Sequence, residues 1–447
     1  MKLPQSPPSL PELTREMQEP ARMHSILKLM QEDDLDAEYL HWDRLRRKPA
    51  PEGMSHREWW LAVKLSRRGK QVPLVDEHGR AFRYSIPEMV LVHLQQIDMG
   101  SAGQIGVPEP ITNPHTRDRY LVSSLMEEAI TSSQLEGAVT TREVAKEMIR
   151  TGRRPRDTSE RMILNNFRTM QRIRTLKNDP LTAARVFEIH ALVTDGTMKD
   201  PSASGRFRRN DEPVVVGDDY GEVFHTPPPA NQLEERIERM CQFANDSGSI
   251  LHPVLRAIVL HFWLAYDHPF VDGNGRTARA LFYWLMLRSG YWLFEFISIS
   301  SVLRKAPVAY NRSFLYTETD DNDLTYFLIA QAKVIRSAIE ELHTYIARKT
   351  KETADLESRT RALDLFNHRQ IELIRHALRH PGQRYTISSH RTSHAVAYQT
   401  ARTDLQDLAA RGVLSQRKRG KQLTYLATDE LPQVLEHLES TDRQNSG

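Results

Sequence analysis

Two apolar segments, LRAIVLHFWLAYD and RTARALFYWLMLRSG, flank one short turn, HPFVDGNG. Both carry helical periodicity, so the chain leaves one buried helix, reverses and enters a second. Gly273 and Gly275 let the backbone approach a ligand closely. The outgoing helix starts with unpaired N–H groups and the positive end of its dipole, an anion site that suits a phosphate. Arg276 and Arg279 are three residues apart and share one helix face, so two guanidinium forks point at the same polyphosphate. Asp272 supplies a carboxylate suited to Mg²⁺ beside those phosphates. His268 stands at the mouth of the turn, where an imidazole takes a proton from a hydroxyl at neutral pH.

The rest of the chain predicts a mainly α fold. Residues 111–345 carry helical patterns near 118–136, 158–177, 181–195, 230–246, 251–267, 276–289 and 323–347. One hairpin interrupts them. The runs Pro213–Val216 and Glu222–His225 flank a Gly/Asp turn, and their prolines predict exposed strands. Residues 1–110 form an N-terminal helical region, the first 20 residues of which are expected as a loosely packed, Pro-rich arm. Residues 346–364 are charged and helix-prone, as in a connector. A compact unit follows over 365–432, with a polar tail over 433–447.

Composition excludes several classes. The chain is 39% hydrophobic and 27% charged with a net charge of +3, so no global field marks a nucleic-acid binder. Its single cysteine, Cys241, cannot close an internal disulfide, and its neighbours Met240 and Phe243 suggest packing. There is neither a signal-peptide pattern nor an apolar run long enough to span a membrane, and a cytoplasmic location is expected.

Taken in order, His268-Pro269-Phe270-Val271-Asp272-Gly273-Asn274-Gly275-Arg276-Thr277-Ala278-Arg279 resembles the Fic signature H-x-F-x-D/E-G-N-G-R-x-x-R at every fixed position. The resemblance implies AMP transfer from ATP, with Mg²⁺, to a hydroxyl side chain of a target protein. His268 would be the general base and Asp272 the Mg²⁺ ligand. Asn274 and the Gly275 amide would meet the α-phosphate, Arg276 the β-phosphate and Arg279 the γ-phosphate. Phe270 would fix the loop in the core. Gly205-Arg206-Phe207-Arg208 resembles the family's G-x-F-R stretch, and the hairpin at 213–225 its flap, with Val216 and Gly217 reaching toward the nucleotide. Tyr310 is expected near the adenine or in the core. Ser132-Ser133-Gln134-Leu135-Glu136-Gly137 fits the inhibitory motif S/T-x-x-x-E-G/N. It ends a helix near 118–137, so Ser132 and Glu136 share a face. By resemblance Glu136 would occupy Arg279.

Downstream, three helical patterns and a basic hairpin with Gly420 at its tip resemble a winged helix-turn-helix domain of α+β type. Arg402, Arg417, Lys418, Arg419 and Lys421 are its candidate DNA contacts. A homodimer and DNA stay open as further partners. Three readings follow: AMP transfer restrained by Glu136, a nucleotide-sensing DNA-binding regulator, and a Fic variant that removes AMP or transfers phosphate. The pairing of Arg279 with a brake favours the first over γ-phosphate transfer.

Overall fold

The structure is a computed structural model. It describes residues 2–101 except 18, 33 and 68, then 114–217, 221–246, 248, 250–359, 366–379, 384–394, 396–419, 422–428, 431, 433–435 and 437–438. The chain divides into two compact units, residues 1–343 and 344–447.

The first unit opens with α1 (Leu10–Glu16), α2 (Pro20–Leu29), α3 (Trp42–Leu45) and α4 (His56–Ser66). The expected loose arm is instead an anchored helix. Ser9 caps α1 by accepting from the Glu12 amide, and Pro11 lies in the first turn, where its missing N–H costs no bond. Leu13 and Met17 join the cluster around Trp42 and Trp60, and Arg57 binds Glu12 and Glu16 at 2.7 and 2.8 Å.

Within residues 1–110, which read as helical, β1 (Lys70–Val75) and β2 (Ala81–Tyr84) form an antiparallel hairpin. Asp76 accepts from the His78 and Arg80 amides and closes its turn. Val72, Leu74, Phe82 and Tyr84 alternate into the core. The free edge of β2 exchanges backbone hydrogen bonds with Asn322 and Leu324, and Lys64 reaches the buried Asp320 at 2.7 Å. This region is thereby tied to the segment between two later helices.

There follow α5 (Glu88–Ser101), α6 (Pro114–Leu135), α7 (Arg142–Thr151), α8 (Thr158–Leu176) and α9 (Ala183–Thr194). Two short strands, β3 (Val216–Gly217) and β4 (Val223–His225), then precede α10 (Leu233–Asn245), α11 (Pro253–Asp267) and α12 (Asn274–Arg288). Helices α13 (Ile299–Lys305), α14 (Pro307–Thr319) and α15 (Thr325–Arg359) follow. The seven expected helices are present with shifted ends, whereas α7, α13 and α14 were not foreseen. The hairpin is shorter than expected. Residues 213–215 lie outside β3, consistent with Pro213 having no N–H to give, and its tip, 218–220, lies outside the described residues. Helices α11 and α12 are buried on nearly every side, as the central pair of a helical core must be. Cys241 is buried in α10, and burial pushes its thiol up to about 12, consistent with packing.

The second unit contains α16 (His368–Arg379), β5 (Arg384–Thr386), α17 (Ile387–His394), α18 (Tyr398–Ala410), β6 (Leu414–Arg419) and β7 (Gln422–Ala427). The sheet order is β5-β7-β6. Strand β5 was not foreseen. It pairs Tyr385 with Tyr425 on β7. Leu405 and Leu408 are fully buried, and Gly412 ends α18 at φ 77°. The boundary at 432 is too early, because Leu435 is fully buried in this unit's core. The expected linker is helical as far as Arg359, in α15. Residues 360–364 and the end of the tail, 439–447, lie outside the described residues. Among the described residues no helix is long and apolar enough to cross a membrane.

Candidate active site

The turn between α11 and α12 is held by its own backbone chemistry. His268 ends α11 at φ 44°, ψ 56°, a left-handed conformation that costs a non-glycine residue about 1–3 kcal/mol. Arg208 compensates, its Nε donating to the His268 carbonyl and its amide to the Pro269 carbonyl, each at 2.9 Å. Phe270 is fully buried. Gly273 sits at φ 83°, and a Cβ there would lie 2.7 Å from Thr194 Cγ2, so only glycine fits.

His268 Nδ1 lies 3.1 Å from the Ala265 carbonyl, an acceptor. Nδ1 therefore carries the proton and Nε2 keeps its lone pair. Burial pushes the imidazole down to about 4, and the neighbouring Arg208 and His225 act in the same direction. At neutral pH the ring is uncharged, the form that accepts a proton.

Asn274 has a role in the loop beyond the one the resemblance implies. Its side chain accepts from the Phe270 amide at 3.0 Å and donates to the Phe270 carbonyl at 2.8 Å. The side chain thus closes the loop with one of its two amide N–H groups, and the backbone amides of the first turn of α12 are available to an anion. Asp272 is the open carboxylate of the site, with 55% of its side chain exposed and Oδ2 3.5 Å from Arg276. Arg276 is 1% exposed and gives one nitrogen to the Val193 carbonyl at 3.2 Å. Its Nε is buried with no partner.

Arg279 commits three of its five N–H groups to Ser132 and Glu136. Its Nε donates to Ser132 Oγ at 2.8 Å, and one terminal nitrogen donates to the Ser132 carbonyl at 3.0 Å and to Glu136 Oε1 at 2.9 Å. Burial opposes ionisation of Glu136, but Arg279 and Arg276 outweigh it and hold the carboxyl below its usual range. A Cβ on Gly275 would lie 2.2 Å from Glu136 Oε1. The carboxylate thus rests on the first turn of α12, at the anion nest. Gly137 follows at φ 89° and ends the helical segment.

Sequence reasoning missed what holds this helix in place. Glu128, two turns before Glu136 on the same face, is buried. It accepts from the Tyr283 and Ser298 hydroxyls at 2.9 Å each, and from the amide and hydroxyl of Ser300. The spacing 128, 132, 136 places the three on one helix face, but the partners of Glu128 lie 155 to 172 residues away.

Val216 and Gly217 form β3, with Val216 opposite His225 and Gly217 opposite Val223. His225 anchors the hairpin. Its Nδ1 faces Glu318 Oε2 and its Nε2 the Tyr266 carbonyl, each at 2.7 Å. Both partners are acceptors, so the ring is satisfied only as imidazolium. Burial opposes that charge, Glu318 outweighs it, and the pKa is raised. The Tyr310 hydroxyl meets His261 Nε2 at 2.9 Å and faces the Arg279 guanidinium. It forms the wall behind Arg279. In the second unit Arg402 and Arg417 are exposed. The side chains of Lys418 and Arg419, and Lys421 altogether, lie outside the described residues.

The arrangement combines a neutral base, an open carboxylate, a helix start that draws anions, and two buried guanidinium groups. Residues 180–286 match the model of the Fic/DOC family. The chain is 39% identical over 112 residues to proteins named protein adenylyltransferase Fic from Drosophila sechellia and Drosophila melanogaster, a match covering 25% of this chain. It spans 21% of the length of those relatives. The fold is similar to the crystal structure of a Fic family protein from Desulfovibrio desulfuricans G20, with TM-score 0.54, 18% identity, and coverage of 77% of this chain and 98% of that one. The matched span, residues 180–286, contains both His268 and Arg279.

Proposed function

We propose that this chain transfers AMP from ATP to a hydroxyl side chain of a protein, itself included, and that Glu136 restrains the reaction. One contact carries the reading. The Glu136 carboxylate rests on Gly275 and binds Arg279, so the nest suited to a phosphate already holds an anion. The names of the Drosophila relatives point the same way.

In the proposed reaction His268 Nε2 takes the proton of the target hydroxyl. The freed oxygen attacks the α-phosphorus, a phosphodiester forms, and the bond to the β-phosphate breaks with pyrophosphate leaving. Backbone amides at the start of α12 meet the charge that builds on the α-phosphate, and Arg276 and Arg279 meet the charge on the departing group. Asp272 is the residue that would hold Mg²⁺, and the ion would supply charge neutralisation. Val216 and Gly217 border the nucleotide, and the hairpin edge offers a target segment a strand to pair with. The same Glu136 can orient a water that removes AMP.

Incubating Glu136→Gly protein with ATP labelled at either the α- or the γ-phosphate tests the reading. Label retained only from the α position is the expected result. Label retained only from the γ position makes the chain a phosphotransferase, and no label from either overturns the proposal.

A second role, DNA binding by the C-terminal unit, is favoured by one face of α18. Gln399, Arg402, Thr403 and Gln406 face solvent, while Asp404 is turned inward onto Arg369 and His390, and Asp407 binds Gln370 and Arg411. The outward face is thus left with one cation and groups that hydrogen-bond to bases. Retention of duplex DNA that falls with salt and is lost in Arg402→Ala is the expected result. Retention equal in Arg402→Ala and wild type refutes it.

A further inference from the structure

We infer that His190 is a positioning residue that ties the two ligand-facing loops of this site to one helix. The inference rests on the functional reading above and concerns a residue outside the signature. His190 lies in the last turns of α9 and is fully buried. Its Nδ1 accepts from the Gly205 amide at 3.0 Å, and its Nε2 meets the Asp272 carbonyl at 2.9 Å. Because one partner is a donor and the other an acceptor, the ring is fixed as the neutral tautomer protonated at Nε2. Its face stacks on Phe270 with centroids 3.7 Å apart and planes 6° apart.

The two ends of the ring serve different loops. The Nε2 end fixes the backbone of Asp272, the open carboxylate. The Nδ1 end fixes Gly205, and three residues later Arg208 holds the His268 carbonyl. One turn on, Thr194 repeats the arrangement. Its methyl packs where a Cβ on Gly273 would stand, and its hydroxyl meets Ser204 at 2.8 Å. The last two turns of α9 therefore set the spacing between the carboxylate and the base. Groups held by supporting hydrogen bonds keep the geometry a reaction needs.

Two conservative replacements separate the two ends. Asparagine places its oxygen near the Nδ1 position and cannot reach Asp272. Glutamine places its nitrogen near the Nε2 position and leaves Gly205 without an acceptor. In the Glu136→Gly background, His190→Asn should raise the Mg²⁺ concentration that half-saturates ATP binding by about tenfold, the effect of one lost hydrogen bond, as read by calorimetry. His190→Gln should leave that value within about twofold and speed hydrogen exchange at the Gly205 amide by about tenfold. A merely structural histidine would move both readouts together in both variants, and that result overturns the inference. Because a buried replacement can fail to fold, the unvaried chain supplies a second measurement. Imidazole nitrogen shifts should report His190 protonated at Nε2 alone, and a proton on Nδ1 overturns the inference. If the Glu136→Gly chain binds ATP with Mg²⁺ but transfers no AMP, the functional reading fails while these readouts still judge His190.

Discussion

Replacing Glu136 by glycine is the perturbation that bears most directly on the mechanism. Glu136 gives Arg279 one charge-assisted hydrogen bond at 2.9 Å, worth about 1.5–3 kcal/mol. Its carboxylate also rests on the positive end of α12, which adds about 0.3–1 kcal/mol. A γ-phosphate seeking Arg279 must displace both, a handicap of about 2–4 kcal/mol. At 1.36 kcal/mol per decade this corresponds to about 30- to 1000-fold in rate. The Glu136 side chain is 26% exposed, so solvent screening places the expectation near the lower end, about 30- to 100-fold. The assay is incorporation of α-labelled phosphate into the protein at ATP well below saturation. Glu136→Gln keeps the shape and removes the charge, and should fall between wild type and Glu136→Gly. Arg279 retains both bonds to Ser132, so the loss should stay near the lower end, about 2 kcal/mol, and in a unit spanning residues 1–343 melting should drop by only about 3 °C. If Glu136→Gly binds ATP yet transfers AMP within twofold of wild type, the restraint does not operate through this contact.

The other predictions concern the same core. His268→Ala in the Glu136→Gly background should lower AMP transfer by about 10²- to 10⁴-fold while calorimetry shows ATP binding retained; loss of binding instead would make His268 structural. Gly273→Ala should destabilise by about 1–3 kcal/mol in urea, because a Cβ at φ 83° would also press on Thr194, and an unchanged midpoint would contradict that packing. Glu128→Ala should cost about 3–5 kcal/mol by stripping a buried carboxylate from four donors, and should raise basal AMP transfer as α6 loosens. The His225–Glu318 pair predicts a pH dependence. The folded pKa of His225 is raised, so its stabilisation is complete below the unfolded value of about 6.5 and fades as pH rises through the folded value. Urea midpoints of wild type should therefore fall more between pH 6 and 9 than those of Glu318→Gln, and equal slopes would refute the imidazolium.

The parts of this site that were legible in the sequence are those whose chemistry is local. A turn that needs φ near +80° and a helix start with two arginines on one face each leave a signature within a dozen residues, whereas the serine and glutamate four apart stood out only through the resemblance. What escaped depends on partners far along the chain. His190 lies in AARVFEIHALVT, where a single histidine on an apolar helix reads as core, and its partners lie 15 and 82 residues away. Glu128 reads as a surface charge until Tyr283, Ser298 and Ser300 close over it. Asn274 was assigned to the α-phosphate through the resemblance, and only the fold shows its amide closing the loop on Phe270 as well. The β1–β2 hairpin was missed for a similar reason. Its strands are short and one contains Pro73, and the edge that completes it comes from residues 322–324.

These long-range contacts decide how the restraint can be released. Glu128, Ser132 and Glu136 lie on one face of a single helical stretch, but they are not equally free. Glu128 and Ser132 are 2% and 1% exposed, whereas a quarter of the Glu136 side chain meets solvent. Moving the whole helix would break every bond to Glu128 as well as both between Ser132 and Arg279. Rotating Glu136 alone breaks one. The cheaper motion is thus a change of side-chain rotamer at the helix end, and ATP itself can drive it to the extent that its γ-phosphate binds Arg279 better than the carboxylate does. On this argument the wild-type chain keeps a basal activity that rises with ATP concentration, whereas a restraint built on displacement of the whole helix would hold the rate flat until an outside partner pulled Glu128 from its pocket.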